Sequence, residues 1–379
     1  MSPILSIIIP TKNRVQYLKD CLISSLLIQE SNIEIIVHDN SDDPNQVKEL
    51  VDELNDKRIK YYYTDQKLSQ TENSELALSY ASGEYITFIG DDDSVCTSIT
   101  RLAYNMKKYN IESCTYSIPK YYWEDLRNNV KNLCTLEYSK NSGKIHKKNS
   151  KKILYRSLKH GMYDITDLAR VYHGIVSRKL LYFIKDKCKS FFPGPSPDMA
   201  NATVVSLYSN NHFHVDIPMI VSGYGKNSAG GMGRRNLHKG SLKGNFQLRD
   251  DVEQNWNPKI PKLWMASTIY PQSASTALIS CGEDKLLNKM NYGAIYFETI
   301  WHDSDSKSVV KNIKKRFKDY VGYYLHFFNR ALKKIFYKKE KVYSSYDNIS
   351  LVEATEVINN YANKFDIDKI FDSYHKKER

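Results

Sequence analysis

Apolar and polar positions follow two rhythms along the first hundred residues. Leu5-Ser6-Ile7-Ile8-Ile9 is a β-branched run closed by Pro10, the signature of a strand buried on both faces. Residues 14–28 then carry apolar side chains at Val15, Leu18, Leu22 and Leu26, the spacing of an amphipathic helix. Ile33–Val37 predicts a second buried strand, ending at His38-Asp39-Asn40-Ser41. Pro44 stands at a helix start, and Val47, Leu50, Val51 and Leu54 continue with helical spacing. Ile59–Tyr63 predicts a third strand and Thr71–Ala81 a third helix, closed by Ser82-Gly83. Tyr85–Ile89 predicts a fourth strand that runs into Gly90-Asp91-Asp92-Asp93. Strands separated by helices of this length imply a parallel sheet with right-handed crossovers. Ligands of such sheets bind beyond the carboxyl ends of the strands. Thr11 to Arg14, Asp39 and Asp91 to Asp93 are therefore expected on one rim.

Further on the rhythm is mixed. A helix is expected over 95–109 and a strand over Ser113–Ile118, with short antiparallel strands elsewhere in 110–150. Val171–Val176 predicts a strand and Arg178–Lys187 a helix. Phe191-Phe-Pro-Gly-Pro-Ser196 is a rigid loop that delivers Pro197-Asp198 to a helix over 199–209, and Phe213–Val221 reads as a strand. Seven glycines with basic neighbours in 222–245 predict a mobile loop and a domain boundary. The resulting division is a catalytic domain over 1–225, split at 95/96 into nucleotide-binding and acceptor-side halves. A glycine-rich loop over 226–245 and a helical region over 246–379 follow, with a terminal helix over Val352–Phe371.

Composition narrows the possible functions. The 379 residues are 41% hydrophobic and carry a net charge of +12. No apolar run approaches the ~18 residues of a membrane span. The run Ile4–Ile9 is too short for a signal-peptide core and has no basic leader. Six scattered cysteines without a Cys-x-x-Cys pair argue against a disulfide scaffold or zinc ribbon and suit a reducing cytosol. The charge is concentrated: Lys140–Lys159 holds a net +8 and Lys307–Lys341 a net +10, which leaves the rest mildly acidic. A nucleic-acid binder is expected to be basic more uniformly.

Three consecutive aspartates at a strand end repel one another unless a cation stands among them. Hard carboxylate oxygens on a strand-to-loop turn suit Mg²⁺ or Mn²⁺ bridged to phosphate oxygens. A solvated turn or a helix cap is the plain alternative.

Ser6-Ile-Ile-Ile-Pro10-Thr-Lys-Asn-Arg14, Glu34-Ile-Ile-Val-His-Asp39-Asn-Ser41 and Ala81-Ser-Gly-Glu-Tyr-Ile-Thr-Phe-Ile-Gly-Asp91-Asp-Asp93 resemble, in order and spacing, the three opening blocks of glycosyltransferase family 2. The resemblance covers residues 4–95 and fades beyond about 225. It implies a GT-A fold, a Rossmann-like, mostly parallel sheet flanked by helices, here with a helical C-terminal extension. It also implies inverting transfer of sugar from a nucleotide-sugar donor, UDP-linked by expectation. Pro10, Thr11, Asn13 and Arg14 would edge the nucleotide pocket, and Asp39 would bind the base. Asp91 and Asp92 would meet the ribose or the metal's waters. Asp93 would ligate the metal directly, with Asp91 beside it. Asn73 keeps a family position, but Glu72 stands where the family often has arginine.

An inverting transferase needs a base for the acceptor hydroxyl. Asp198 is the candidate, with a helix cap as its alternative role; Asp164 and Asp167 are reserves. His173, Lys226 and Arg234 are candidate phosphate or acceptor contacts. Over 307–341, Val310, Ile313, Phe317, Tyr320, Tyr324, Phe328, Leu332 and Ile335 form an apolar stripe among lysines. That stripe suits either an anionic membrane surface or packing on the catalytic domain.

The combined expectation is a metal-dependent glycosyltransferase of bacterial capsule or O-antigen synthesis. Its acceptor is a glycan or a polyprenyl-diphosphate-linked sugar. It is cytoplasmic, peripheral to the inner face of the membrane, and has no nucleic-acid partner. A sugar-phosphate nucleotidyltransferase and a non-catalytic basic scaffold are the alternatives. The first wants a glycine-rich loop where this chain has Pro10-Thr-Lys-Asn-Arg14.

Overall fold

The computed structural model describes residues 2–126, 134–235, 237–245, 247–336 and 342–377. The first half runs β1 (Leu5–Thr11), α1 (Val15–Ser25), β2 (Ile33–Asp39), α2 (Asn45–Leu54), β3 (Ile59–Tyr63), α3 (Gln70–Ser79), β4 (Tyr85–Phe88), β5 (Ser94–Val95), α4 (Ile99–Lys108). Next come β6 (Ser113–Ser117), β7 (Lys120–Tyr122), β8 (Thr135–Ser139), β9 (Ile145–Lys148), α5 (Ser150–Lys159), β10 (Gly174–Ser177), α6 (Arg178–Cys188), α7 (Pro197–Tyr208), β11 (His212–Pro218) and β12 (Ile220–Tyr224). The remainder is α8 (Ala229–Arg234), α9 (Ala266–Ser280), α10 (Tyr292–His302), α11 (Lys307–Lys311), α12 (Phe317–Phe336), β13 (Val342–Asp347), α13 (Leu351–Ala362) and α14 (Ile367–Lys377).

The sheet is mixed. Eight strands lie in the order β3-β2-β1-β4-β10-β6-β11-β9. The strands β3, β2, β1 and β4 are parallel, as their apolar runs predict, and β-branched or aromatic residues pair at their centres, as in Ile7 with Ile35, Ile9 with Val37 and Ile8 with Phe88. Strand β10 is inserted antiparallel between β4 and β6. A second sheet, β13-β8-β7-β12-β5, stands beside the carboxyl end of β4. The parallel strands end together, so the rim expected from the sequence exists. This α/β sheet, flanked by helices and followed by more helices, has the architecture implied by the resemblance.

Glu72 has a local structural role. It is the third residue of α3, and its Oε2 accepts from the Ser69 N–H (3.0 Å) and hydroxyl (2.7 Å). This closes a capping box with Ser69.

The region 246–379 divides in space. Helices α9 and α10 share a core with α5 and α7 through Leu154, Met199, Ile269 and Ile295. Strand β13 pairs with β8. Helices α13 and α14, expected as one helix, return to the first half. Ala362, Ile367 and Phe371 lie in the core of β1, β2 and α4, and Asn359 Oδ1 accepts the N–H of Thr97 (2.9 Å). The region is therefore not one helical appendage. Two further expectations are corrected. Cys188 and Cys281 are joined in a disulfide between α6 and the end of α9, a pairing that scattered spacing did not reveal. Part of the glycine-rich loop is the helix α8, capped by Ser228, whose Oγ accepts the Gly231 N–H. Among the described residues no helix is long and apolar enough to cross a membrane.

Candidate active site

Strand β4 delivers Asp91, Asp92 and Asp93 into a turn where all three are buried. Each carboxylate meets a different wall. Asp91 Oδ2 accepts the Thr11 hydroxyl at the end of β1 (2.8 Å). Arg14, just past that strand, sets Nη1 3.1 Å from Asp91 Oδ1 and Nη2 3.1 Å from Asp92 Oδ2. Its guanidinium also stands 4.9 Å from the Tyr17 ring centroid. Asp92 Oδ2 accepts the Gly225 N–H (3.0 Å), and its carbonyl accepts Trp123 Nε1–H (3.0 Å). Asp93 Oδ1 accepts the Gly223 N–H (2.7 Å); Oδ2 accepts the Gly90 N–H (2.6 Å) and stands 2.6 Å from His173 Nε2.

The glycines have a steric reason. A Cβ on Gly223 would lie 1.7 Å from the Asp92 carbonyl oxygen. Gly223 is thus a strand residue pressed on the aspartate turn, and Gly225, just past β12, faces the Tyr17 ring, whereas the sequence pattern predicts a loop there.

Burial dominates the electrostatics. It raises the carboxyl groups of Asp91 and Asp92 above the usual range, against the opposing pull of Arg14. Burial also lowers His173, but the adjacent Asp93 more than offsets this and holds the imidazole above its ordinary value. His173 has φ of 52°, a left-handed conformation that an ordinary side chain adopts only when its surroundings impose it. The tight turn into Gly174 and the bond from its N–H to the Phe88 carbonyl (3.0 Å) impose it here.

Asp198 occupies the first turn of α7, after Pro197. The N-cap position belongs to Ser196, so Asp198 is not the cap. Its Oδ1 is buried and accepts no hydrogen bond. Burial raises the group to about 6, while His173 and Arg170 act to lower it. Arg170 is a buried cation that sequence reasoning missed. It is held by the carbonyls of Ile165, Thr166, Leu168 and Tyr172, and no motif marks it. Tyr172 and Tyr270 complete the surroundings, both with hydroxyls raised by burial and next by Asp198.

The remaining candidates are placed as follows. Asp39 is fully buried; Oδ1 accepts the Ser41 N–H (2.8 Å) and Oδ2 the Tyr61 hydroxyl (3.0 Å). Asn73 ties two strand ends together, meeting His38 Nδ1 through Oδ1 and donating to the Thr11 carbonyl (3.3 Å). Asn13, with φ of 55°, donates its N–H to Ser41 Oγ (2.7 Å), and Pro10 is half-buried in β1. Lys226 is exposed, and its N–H donates to Asp125. The Arg234 side chain lies outside the described residues. Asp164 closes a local turn on Thr166, and Asp167 pairs with Arg156 on the surface.

Among the described residues no group of three or more His, Cys, Asp or Glu side chains is arranged to hold a metal ion. The donor chemistry fits a hard divalent cation only in part. Three buried carboxylates face Arg14 and His173, and Asp91 Oδ1 accepts no hydrogen bond. Asp93 fits a direct ligand poorly, because both its oxygens are committed to N–H donors and His173.

The sequence model of the family described as Glycosyl transferase family 2 matches residues 6–178. These residues belong to glycosyl transferase family 2. The family 2 domain thus contains the aspartate turn and His173 and ends before Asp198. Among curated relatives, WcaA of Escherichia coli (strain K12), assigned as a glycosyl transferase of colanic acid biosynthesis, is 41% identical over 93 residues. The match covers 24% of this chain and 33% of that protein. The GalNAc(5)-diNAcBac-PP-undecaprenol beta-1,3-glucosyltransferase of Campylobacter jejuni is 40% identical over 97 residues, 24% of this chain and 31% of that protein. The chain thus spans about a third of the length of these relatives. Among solved structures, Staphylococcus aureus TarS 1–349 with UDP-GlcNAc superposes with a TM-score of 0.49 at 15% identity, covering 100% of this chain and 92% of that one.

Proposed function

We propose that the chain is an inverting glycosyltransferase. It moves a sugar from a nucleotide-sugar donor, UDP-linked by the resemblance, to a glycan or lipid-linked acceptor of a bacterial surface polysaccharide. The relatives named for colanic acid and for an undecaprenol-linked glycan support this acceptor class. The observation that carries the reading is Asp198: a buried carboxylate with one unbonded oxygen, raised to about 6, among the same charged groups as the aspartate turn. That is the state of a general base working near neutral pH.

In this reading Asp198 Oδ1 takes the proton of the acceptor hydroxyl. The acceptor oxygen bonds to the anomeric carbon from the face opposite the diphosphate. The carbon–oxygen bond to phosphate breaks, and its electron pair leaves with the nucleoside diphosphate. Arg14, paired with Asp91 and Asp92, would supply a cation to the growing negative charge, and His173 would hold Asp93 in place. Asp39 would exchange the Tyr61 hydroxyl for a base N–H. Asp91 and Asp92 would hold Mg²⁺ or Mn²⁺, and a cation there supplies further neutralisation of the diphosphate.

The test is a panel of nucleotide sugars scored for slow hydrolysis and for transfer, with Asp198→Asn alongside. The variant should lose transfer by at least ~100-fold, within the range general bases supply. It should keep the rise in melting temperature caused by UDP with Mn²⁺. Undiminished transfer would move the base elsewhere.

A further inference from the structure

Helix α12 is amphipathic in the reverse sense. Its body-facing side is largely polar, with Tyr323 packed on Phe297 at its flank. Asp319 and His326 are buried, and Arg330 is partly so. They face α10, where Glu298 is buried: its Oε1 stands 2.7 Å from His326 Nε2 and accepts Arg330 Nη1–H at 2.6 Å. The approach is close, since a Cβ on Gly293 of α10 would lie 2.1 Å from the Asp319 carbonyl oxygen. The solvent side carries Phe317, Tyr320, Tyr324, Leu325, Phe328 and Leu332, between 51% and 84% exposed. Trp301 of α10 adds a further ring, 56% exposed, with the Arg330 guanidinium 5.3 Å from its centroid. A helix that only packs on its domain turns this stripe inward. The exposed rings and chains form a contiguous apolar face, the mark of an interaction surface.

Charge selects the occupant. Lys311, Lys314 and Lys318 are exposed at the amino end of the helix, and the sequence places further basic residues at 333 and 334 toward the other end. Both ends are basic, so two copies of the helix would juxtapose like charges whether they paired parallel or antiparallel. A surface that is apolar inside and anionic outside satisfies both features. We propose that α12 docks on an anionic lipid bilayer, with its aromatic face in the interface and its lysines at the headgroups. The ion cluster at Glu298 holds the helix to the body. Through α10, α9 and α7, packed in succession, the docked helix is joined to the one that carries Asp198.

This inference deepens the acceptor side of the proposed function but does not depend on it, because membrane binding is read without donor or acceptor. The full chain is floated with phosphatidylcholine vesicles, with and without phosphatidylglycerol. Binding is expected only with phosphatidylglycerol, falling severalfold as salt rises from about 0.1 to 0.5 M. Leu325→Ser with Phe328→Ser should lose ~10-fold or more of that binding, while melting temperature and nucleotide-sugar hydrolysis stay unchanged. Equal recovery from both vesicle types, or full binding by the double variant, would overturn the proposal. A dimer in light scattering that the double variant dissolves would also overturn it, assigning the face to a second copy.

Discussion

Asp198 and Glu298 are both buried carboxylates, and their surroundings push them in opposite directions. Burial raises Asp198 to about 6, whereas the histidines and Arg330 hold Glu298 at about 2 despite its burial. The consequences for stability have opposite signs. Between about pH 4 and pH 6 the folded chain holds the Asp198 proton more tightly than the unfolded chain, so its contribution falls as pH rises. Asp198→Asn should therefore raise the melting temperature at pH 8 and leave it nearly unchanged at pH 4. Glu298 contributes stability above about pH 4.5 that is lost as pH falls toward 2. Glu298→Gln should lower the urea midpoint at pH 7, by a margin that narrows at pH 3.5. The pH–rate profile of transfer should fall on the acid side near 6, as Asp198 takes up a proton. Asp198 is legible in sequence because a proline-rich loop aims it at a helix start. Glu298 is not, since its partners His326 and Arg330 lie far along the chain, and Arg170 is not, since the nearby backbone carbonyls that hold it leave no side-chain motif.

At the scale of elements, local rhythm places most strands and helices of the first hundred residues within a few positions. It does not say which face of an element meets which neighbour. The glycines at 223 and 225 illustrate this. Composition makes them a loop, but β12 and the residue just after it bring backbone N–H groups onto Asp93 and Asp92. Gly223→Ala should cost about 1–3 kcal/mol of stability, as overpacking does, and weaken the thermal shift with UDP and Mn²⁺. Gly233→Ala, where a Cβ would meet nothing within 4 Å, is the matched control and should behave as the parent. Helix α12 makes the same point. Periodicity finds its apolar stripe, but only the polar cluster at Glu298 fixes that stripe outward.

For the whole molecule, the order of the parallel strands and the rim at their ends follow from the opening sequence. The boundary at the C-terminal region does not. Helices α13 and α14 are amphipathic segments whose sequence is silent about their partner, and they pack on the half synthesised first. Thr355 Oγ1 lies 2.6 Å from Ser94 Oγ, and Asp368 accepts from Asn105 (2.6 Å). Contacts of such long sequence separation are costly in loop entropy and form late.

The return of the last two helices also sets an order of events during synthesis. Domains generally fold as they emerge, amino-terminal first. Here the amino-terminal half leaves the ribosome early but lacks part of its core until residues near 371 have followed. Emergence of α13 and α14, rather than completion of the first hundred residues, should therefore be the moment at which β1 to β4 become resistant to protease. A stalled chain ending at residue 300 should be cut within those strands under conditions that leave the released protein whole.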